Sequence, residues 1–256
     1  MKRVLEGKTA LVTGGSRGIG RAISQRLASD GAFVVIHYGG NEAAANETLT
    51  AIEQAAERAF LVRAELGVHE NLDMLFNNLE KELAGRPLNV LVNNAAVAPQ
   101  TTLAQTTPEE FDRIFAINVR APFFIIQRAL PLMPDGGRII NIPSGVTWFA
   151  TPATVYSMTK GALNVLSRSL ANSLGSRNIT VNTISPGITD TDMNPSIRDK
   201  DAKAIQRVAA MTALGRPGLS ADIGDAVAFF ASDDARWITG QTLEVNGGLF
   251  LGPREQ

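Results

Sequence analysis

The sequence predicts an α/β fold: a single doubly wound domain of 256 residues, with a parallel seven-stranded sheet and helices on both faces. Three observations carry this. Seven apolar runs are rich in β-branched residues and unbroken rather than alternating, the pattern of strands covered on both sides. Helix-length segments lie between them, which implies right-handed crossovers and a parallel sheet. No Ser/Gly/Pro linker, repeat or low-complexity tract interrupts the chain.

The first strand is "TALVT" (9–13) and the second "FVVIH" (33–37), joined by the helical stretch "GRAISQRLASD". "AFLVR" (59–63) and "NVLVNN" (89–94) follow as the third and fourth. A long helix is then expected over about 108–130: Thr107 is its N-cap, Pro108 sits at N1, and Glu109 and Glu110 make an acidic first turn. Strand five is "RIINIPS" (138–144), where Pro143 biases Ile142 toward extended geometry. A helix over about 154–175 carries Ala162, Leu163, Leu166 and Leu170, apolar at helical spacing. Strands six and seven are "ITVNTIS" (179–185) and "QTLEV" (241–245). The stretch from about 193 to 212, polar first and apolar later, reads as a lid over a substrate pocket.

Bulk properties exclude several functions. A formal charge of −1 argues against nucleic acid or a membrane surface as partner. Without cysteine there is no disulfide framework, thiol catalysis or thiolate metal site. His37 and His69 are too few and too separated for zinc, so no metal is expected. The start of the chain reads as a strand rather than a signal segment, and a cytoplasmic protein is expected.

The first strand runs into "TGGSRGIG" (13–20), followed by a helix. Gly14, Gly18 and Gly20 allow a tight turn that brings backbone N–H groups and a helix N-terminus against a pyrophosphate. The spacing is a variant of the dinucleotide fingerprint. The second strand ends in Tyr38, Gly39 and Gly40, with no carboxylate for ribose hydroxyls. A 2′-phosphate would instead find Arg17 and Asn41, which favours NADPH/NADP+ over NAD(H); the plainer reading of Arg17 is a solvent-facing arginine.

In "VYSMTK" (155–160), Tyr156 and Lys160 stack one turn apart on one helix face. A phenol with a reference pKa of ~10 transfers protons poorly at neutral pH unless its anion is favoured, as an ammonium nearby would do. Alone, the pair is equally two residues on a wet face.

In order along the chain stand "TGGSRGIG", "NNAA" (93–96), Ile117-Asn118, Ser144, the Tyr156/Lys160 pair and "PGITDT" (186–191). With these the chain resembles the short-chain dehydrogenase/reductase family over nearly its whole length. The resemblance implies a Rossmann fold, a homotetramer, and reduction of a small-molecule ketone to a secondary alcohol. Tyr156 would be the general acid, and Lys160 would hold the nicotinamide ribose and lower the tyrosine pKa. Ser144 would polarise the carbonyl, and Asn118 would hold a water for proton resupply. By the same resemblance Asn93, Ala95 and Ala96 would pass close to the riboses, Ile19 would pack at the pyrophosphate and nicotinamide, and Glu65 would reach the adenine. The Thr189 main chain and Thr191 would hold the carboxamide, with Ser16, Leu66, Pro186 and Gly187 as further cofactor contacts. Glu65 stands where the family commonly has Asp, Ala96 where it often has Gly, and the Ser144–Tyr156 loop is about one residue short.

"LGRPG" (214–218) and "SRNITVN" (176–182) resemble 3-ketoacyl-carrier-protein reductases, which recruit an acidic carrier with basic residues beside the site mouth. Arg177 matches one such position. Asp135 stands at the other, where a carboxylate repels an acidic carrier, so a diffusible ketone is expected. Trp148 and Phe149 either contact substrate or cap the core. The alternatives are the carrier-linked reductase, an NAD-linked alcohol or sugar dehydrogenase, and a redox-sensing binding protein, which usually lacks the tyrosine or lysine.

Overall fold

The computed structural model describes residues 3–68 and 70–252. His69, one of the two histidines weighed above, lies outside them. Seven parallel strands form one sheet: β1 (Thr9–Val12), β2 (Phe33–Tyr38), β3 (Ala59–Arg63), β4 (Val90–Asn93), β5 (Arg138–Asn141), β6 (Thr180–Pro186) and β7 (Thr242–Val245). Their order is β3-β2-β1-β4-β5-β6-β7, so the winding reverses between β1 and β4. The strands stand where the apolar runs predict, to within three residues at either end.

The absence of alternation has a direct cause. In β1, Leu11 enters one core while Ala10 and Val12 enter the other, and all three are fully buried. The first core takes α3 (Glu70–Leu83), α5 (Ala121–Ala129) and α6 (Thr154–Leu174) through Leu75, Ile125 and Ala171. The opposite core takes α1 (Gly18–Ser29), α2 (Glu42–Gln54) and α9 (Ser220–Ala231) through Ile23, Ile52 and Val227. Burying a side chain of this kind contributes about 1.5–3 kcal/mol. An apolar residue is therefore favoured at both parities of a two-sided strand.

The long helix expected over 108–130 is not a single α-helix. It is α4 (Pro108–Phe115), a π-turn over Ala116–Arg120, and α5. Its start matches the expectation, since the Thr107 hydroxyl accepts from the Glu110 N–H at 3.3 Å. Between β6 and α9 lie two short helices, α7 (Pro195–Arg198) and α8 (Ala202–Met211), in the stretch read as a lid. On α6, Leu163 is buried and Leu166 and Leu170 pack against the core, so the stripe read from sequence faces inward. Its exposed apolar residues are Met158 and Val165. No helix of the described residues is long and apolar enough to cross a membrane.

Candidate active site

At the carboxyl ends of the strands, over the β1/β4 reversal, a cleft of about 730 Å³ opens. This is where doubly wound sheets hold ligands. Its floor is the turn from β1 to α1. Arg17 caps α1 with no side-chain acceptor, so the first N–H groups of that helix have no partner from the cap. Gly18, Ile19 and Gly20 line the cleft beside Gly14, Ser16 and Arg17. A Cβ on Gly20 would lie 2.0 Å from the Gly14 carbonyl oxygen, so the turn closes only around glycine there.

Not every N–H of the turn faces the cleft. Gly14 donates to Nδ1 of His37 at 3.1 Å, and Gly15 donates to the His37 carbonyl at 2.9 Å. Nδ1 accepts, so Nε2 carries the proton and donates to the Ala64 carbonyl at 2.9 Å. Burial lowers the His37 pKa to about 4. The imidazole is therefore neutral and fastens the turn to β2. Sequence reasoning misses this role, although a polar residue inside the apolar run of β2 is an available sign of it. Thr13 and Asn94 are missed as well. The Thr13 hydroxyl accepts from the N–H groups of Asn94 and Ala95, at 3.0 and 3.1 Å. The Asn94 amide donates to the Thr13 and Gly14 carbonyls at 3.0 and 3.1 Å.

Ser144, Tyr156 and Lys160 line the opposite wall. The one-turn spacing on α6 brings the Lys160 Nζ to 5.6 Å from the centre of the Tyr156 ring. Nζ, almost fully buried, donates to the Ile142 carbonyl at the end of β5 at 2.8 Å. Burial presses the ammonium down to about 7. The Tyr156 ring keeps an edge on the cleft, yet burial pushes its phenol up to about 12, with the Ser144 hydroxyl bonded to it pulling the other way. This corrects the expectation that Lys160 lowers the tyrosine pKa. Among the chain's own groups, desolvation dominates and Lys160 is not among the causes. The phenol stays protonated at neutral pH, which suits a proton donor.

Asn118 sits buried in the π-turn, and its side chain makes three hydrogen bonds. Nδ2 donates to the Val97 carbonyl and the Thr159 hydroxyl, at 2.9 and 3.1 Å, and Oδ1 accepts from the Val97 N–H at 2.9 Å. Both amide hydrogens are thus committed, and the side chain is not free to donate to a water.

A family model described as enoyl-(acyl carrier protein) reductase matches residues 14–250. The chain belongs to the short-chain dehydrogenase/reductase family. It is an oxidoreductase of that family. Its fold matches that of the angucycline C-6 ketoreductase LanV, solved with NADP bound, with a TM-score of 0.91 and 47% identity over 97% of this chain and 98% of LanV. Tetrahydroxynaphthalene reductase of Pyricularia oryzae is 36% identical over 96% of this chain and 91% of its own. The 3-oxoacyl-[acyl-carrier-protein] reductase FabG of Staphylococcus aureus is 35% identical over 95% and 98%.

The remaining expected residues of this short-chain dehydrogenase/reductase divide in two. Gly39, Asn41, Ala95 and Ala96 line the cleft, as do Pro186, Gly187, Thr189 and Thr191. Asn41 also caps α2, its Oδ1 accepting from the Ala44 N–H at 3.0 Å. Tyr38 and Leu66 are buried and do not line the cleft, nor does Glu65, whose side chain is exposed. Asn93 is behind the wall: its Nδ2 donates to Asn141 Oδ1 at 2.8 Å, and neighbouring Asn94 is the one that lines the cleft. Successive strand residues face opposite sides, and the motif "NNAA" alone does not say which asparagine faces out.

Asp135 and Arg177 are also corrected. They pair at 3.0 Å where β5 begins and α6 has ended, and Arg177 further donates to the Leu130 and Met133 carbonyls at 3.1 and 2.6 Å. Tyr156 lies near the other end of α6, a helix of 21 residues and therefore about 30 Å long. Within the chain neither residue borders the mouth of the cleft.

Proposed function

We propose that the protein reduces the ketone of a diffusible small molecule to a secondary alcohol, using NADPH. The observation that carries this is the facing of two walls across one cleft, a glycine turn at an uncapped helix N-terminus and the Ser144–Tyr156–Lys160 group. The cleft fits a dinucleotide: Gly20 admits no Cβ, while Gly39 and Gly40 leave open room at the end of β2. When bound, the cofactor supplies the hydride to the carbonyl carbon. Tyr156 gives its proton to the carbonyl oxygen, and Ser144 donates to that same oxygen as charge grows on it. Lys160 holds the ribose, and Asn118 holds the water that resupplies the proton. Residues 1–256 act as one domain, and α7 with α8 closes over the substrate.

Arg17 is the residue assigned to the 2′-phosphate. It lies on the cleft, mostly exposed, with one guanidinium nitrogen 3.4 Å from Asp192. Losing a charge-assisted hydrogen bond costs about 1.5–3 kcal/mol, or roughly tenfold or more in affinity. Steady-state rates with a ketone panel are expected to favour NADPH over NADH, and Arg17→Ala to erase most of that preference. Equal losses with both cofactors would remove Arg17 from this role. No turnover with either would remove the reductase assignment. A carrier-linked ketoacyl substrate is the second reading, supported by the FabG relationship.

The enzyme is further proposed to be a cytoplasmic homotetramer. Two separate faces are apolar and open. β7 is an edge strand with Leu243 41% exposed, Trp237 before it is 96% exposed, and α5 and α6 expose Phe123, Met158 and Val165. Two different two-fold contacts close a tetramer. Light scattering is expected to give about four times the 27.3 kDa of one chain, and a mass near one chain would end the proposal.

A further inference from the structure

The segment after β7 turns back across the end of the lid stretch and is held there by its backbone. Leu214 and Ala213 donate to the carbonyls of Gly247 and Gly248, at 3.0 and 3.2 Å, and Phe250 donates to the Met211 carbonyl at 2.9 Å. The approach is too close for side chains: a Cβ on Gly247 would lie 2.9 Å from Thr212, and one on Gly248 would lie 2.7 Å from Ala213. Phe250 then takes φ +57°, a left-handed conformation rare for a bulky aromatic residue. Backbone strain of this kind collects where the surroundings over-determine a side chain's direction.

The direction is toward the pocket wall. The Phe250 ring packs on Phe149 with centroids 4.9 Å apart and planes tilted by 60°. Phe149 lines the cleft, and its other side rests on Gly145, where a Cβ would come within 3.1 Å of the ring. Trp148 meets its edge at 5.7 Å. Phe149 is therefore clamped between the residue after Ser144 and a ring anchored to the lid. Phe250 itself is not part of the cleft lining, so it acts only through Phe149.

We propose that Phe250 is a positioning residue for substrate selection: it fixes Phe149 as a rigid aromatic wall that favours a flat aromatic ketone over a saturated one of the same size. This rests on the reductase reading for the ketone, but the wall and its anchoring are independent of turnover. Aromatic rings pair by offset or edge contacts that a saturated ring does not offer, and such a pair is worth about 0.5–1.5 kcal/mol, about two- to tenfold in affinity.

The test uses two bicyclic ketones of matched size, 2-tetralone and 2-decalone, with both turnover and calorimetric binding to the NADP+-loaded protein. The wild type is expected to bind 2-tetralone several-fold more tightly. Phe250→Ala should reduce that preference by about two- to tenfold through KM, with kcat changed less and NADPH affinity unchanged. Phe250→Gly, which removes the left-handed strain as well as the ring, should lose the preference equally, and Phe250→Tyr should restore it. Equal losses on both ketones would make Phe250 merely structural and overturn the proposal. So would an unchanged preference in the Ala and Gly variants, or a wild type that binds neither ketone or both alike. Selective binding without turnover would instead overturn the reductase reading and leave the positioning role standing.

Discussion

Tyr156→Phe is expected to lower kcat by about a thousandfold, while NADPH binding stays within about threefold of wild type. The ring remains and only the proton-bearing oxygen goes. A positioned proton donor contributes about 10²–10⁴ in rate, and an interaction made only in the transition state is lost from kcat and kcat/KM alike. The phenol, held up at about 12, carries its proton throughout the neutral range. The wild-type enzyme therefore needs no prior proton uptake to reduce a ketone, and that reserve is what the variant lacks. Stopped-flow NADPH oxidation and fluorescence titration measure the two quantities. Turnover within tenfold of wild type would take Tyr156 out of the acid role.

Gly20→Ala is expected to abolish useful cofactor binding, with NADPH affinity at least about a hundredfold weaker and a lower melting temperature. The new Cβ would stand 2.0 Å from the Gly14 carbonyl oxygen and 2.6 Å from Asn94 Nδ2. Overpacking a core costs about 1–3 kcal/mol. Here the obstacle is backbone, which cannot rotate away as a side chain does, so the upper end applies and about 2.7 kcal/mol is a hundredfold. Relief requires the turn to open, which displaces both the helix N-terminus and the Asn94 bridge to β4. Titration with NADPH beside a thermal melt checks this; affinity within threefold of wild type would show that the turn is not closed as described.

The strands are legible because burial on two faces leaves a signature that needs no partner to interpret. The helices are legible where capping is local, as at Thr107. The stretch from Pro108 to Ala129 reads as one uninterrupted helix because a π-turn has no composition of its own. One additional residue in the coil rotates the succeeding helix by about 100° at 3.6 residues per turn. The apolar stripes of α4 and α5 are thus out of phase, and a single helical wheel spreads them around the circumference. Asn118 stands out by its place among the motifs, but its partners, Val97 and Thr159, are far from it in the chain. The same holds at the site. Tyr156 and Lys160 share one helix turn and can be read together, whereas Asn93 and Asn94 differ only in which way the strand end faces. The titration of the Tyr156/Lys160 pair is not legible, because desolvation depends on the groups that close over it, and spacing on one helix does not contain that.

His37 gives the fold a sensitivity to acid that is separate from its chemistry. Free in an unfolded chain, the imidazole titrates near its ordinary value of 6.5; sealed beneath the cofactor turn, it does so at about 4. The unfolded chain then takes up the proton first as pH drops, and mass action favours it. The stabilisation is complete above about pH 6.5 and drains away as pH falls toward 4. Once charged, the ring carries hydrogen on both nitrogens and has nothing with which to receive the Gly14 N–H. Souring the medium would therefore loosen the nucleotide-binding corner before the carboxylates on the surface had fully titrated.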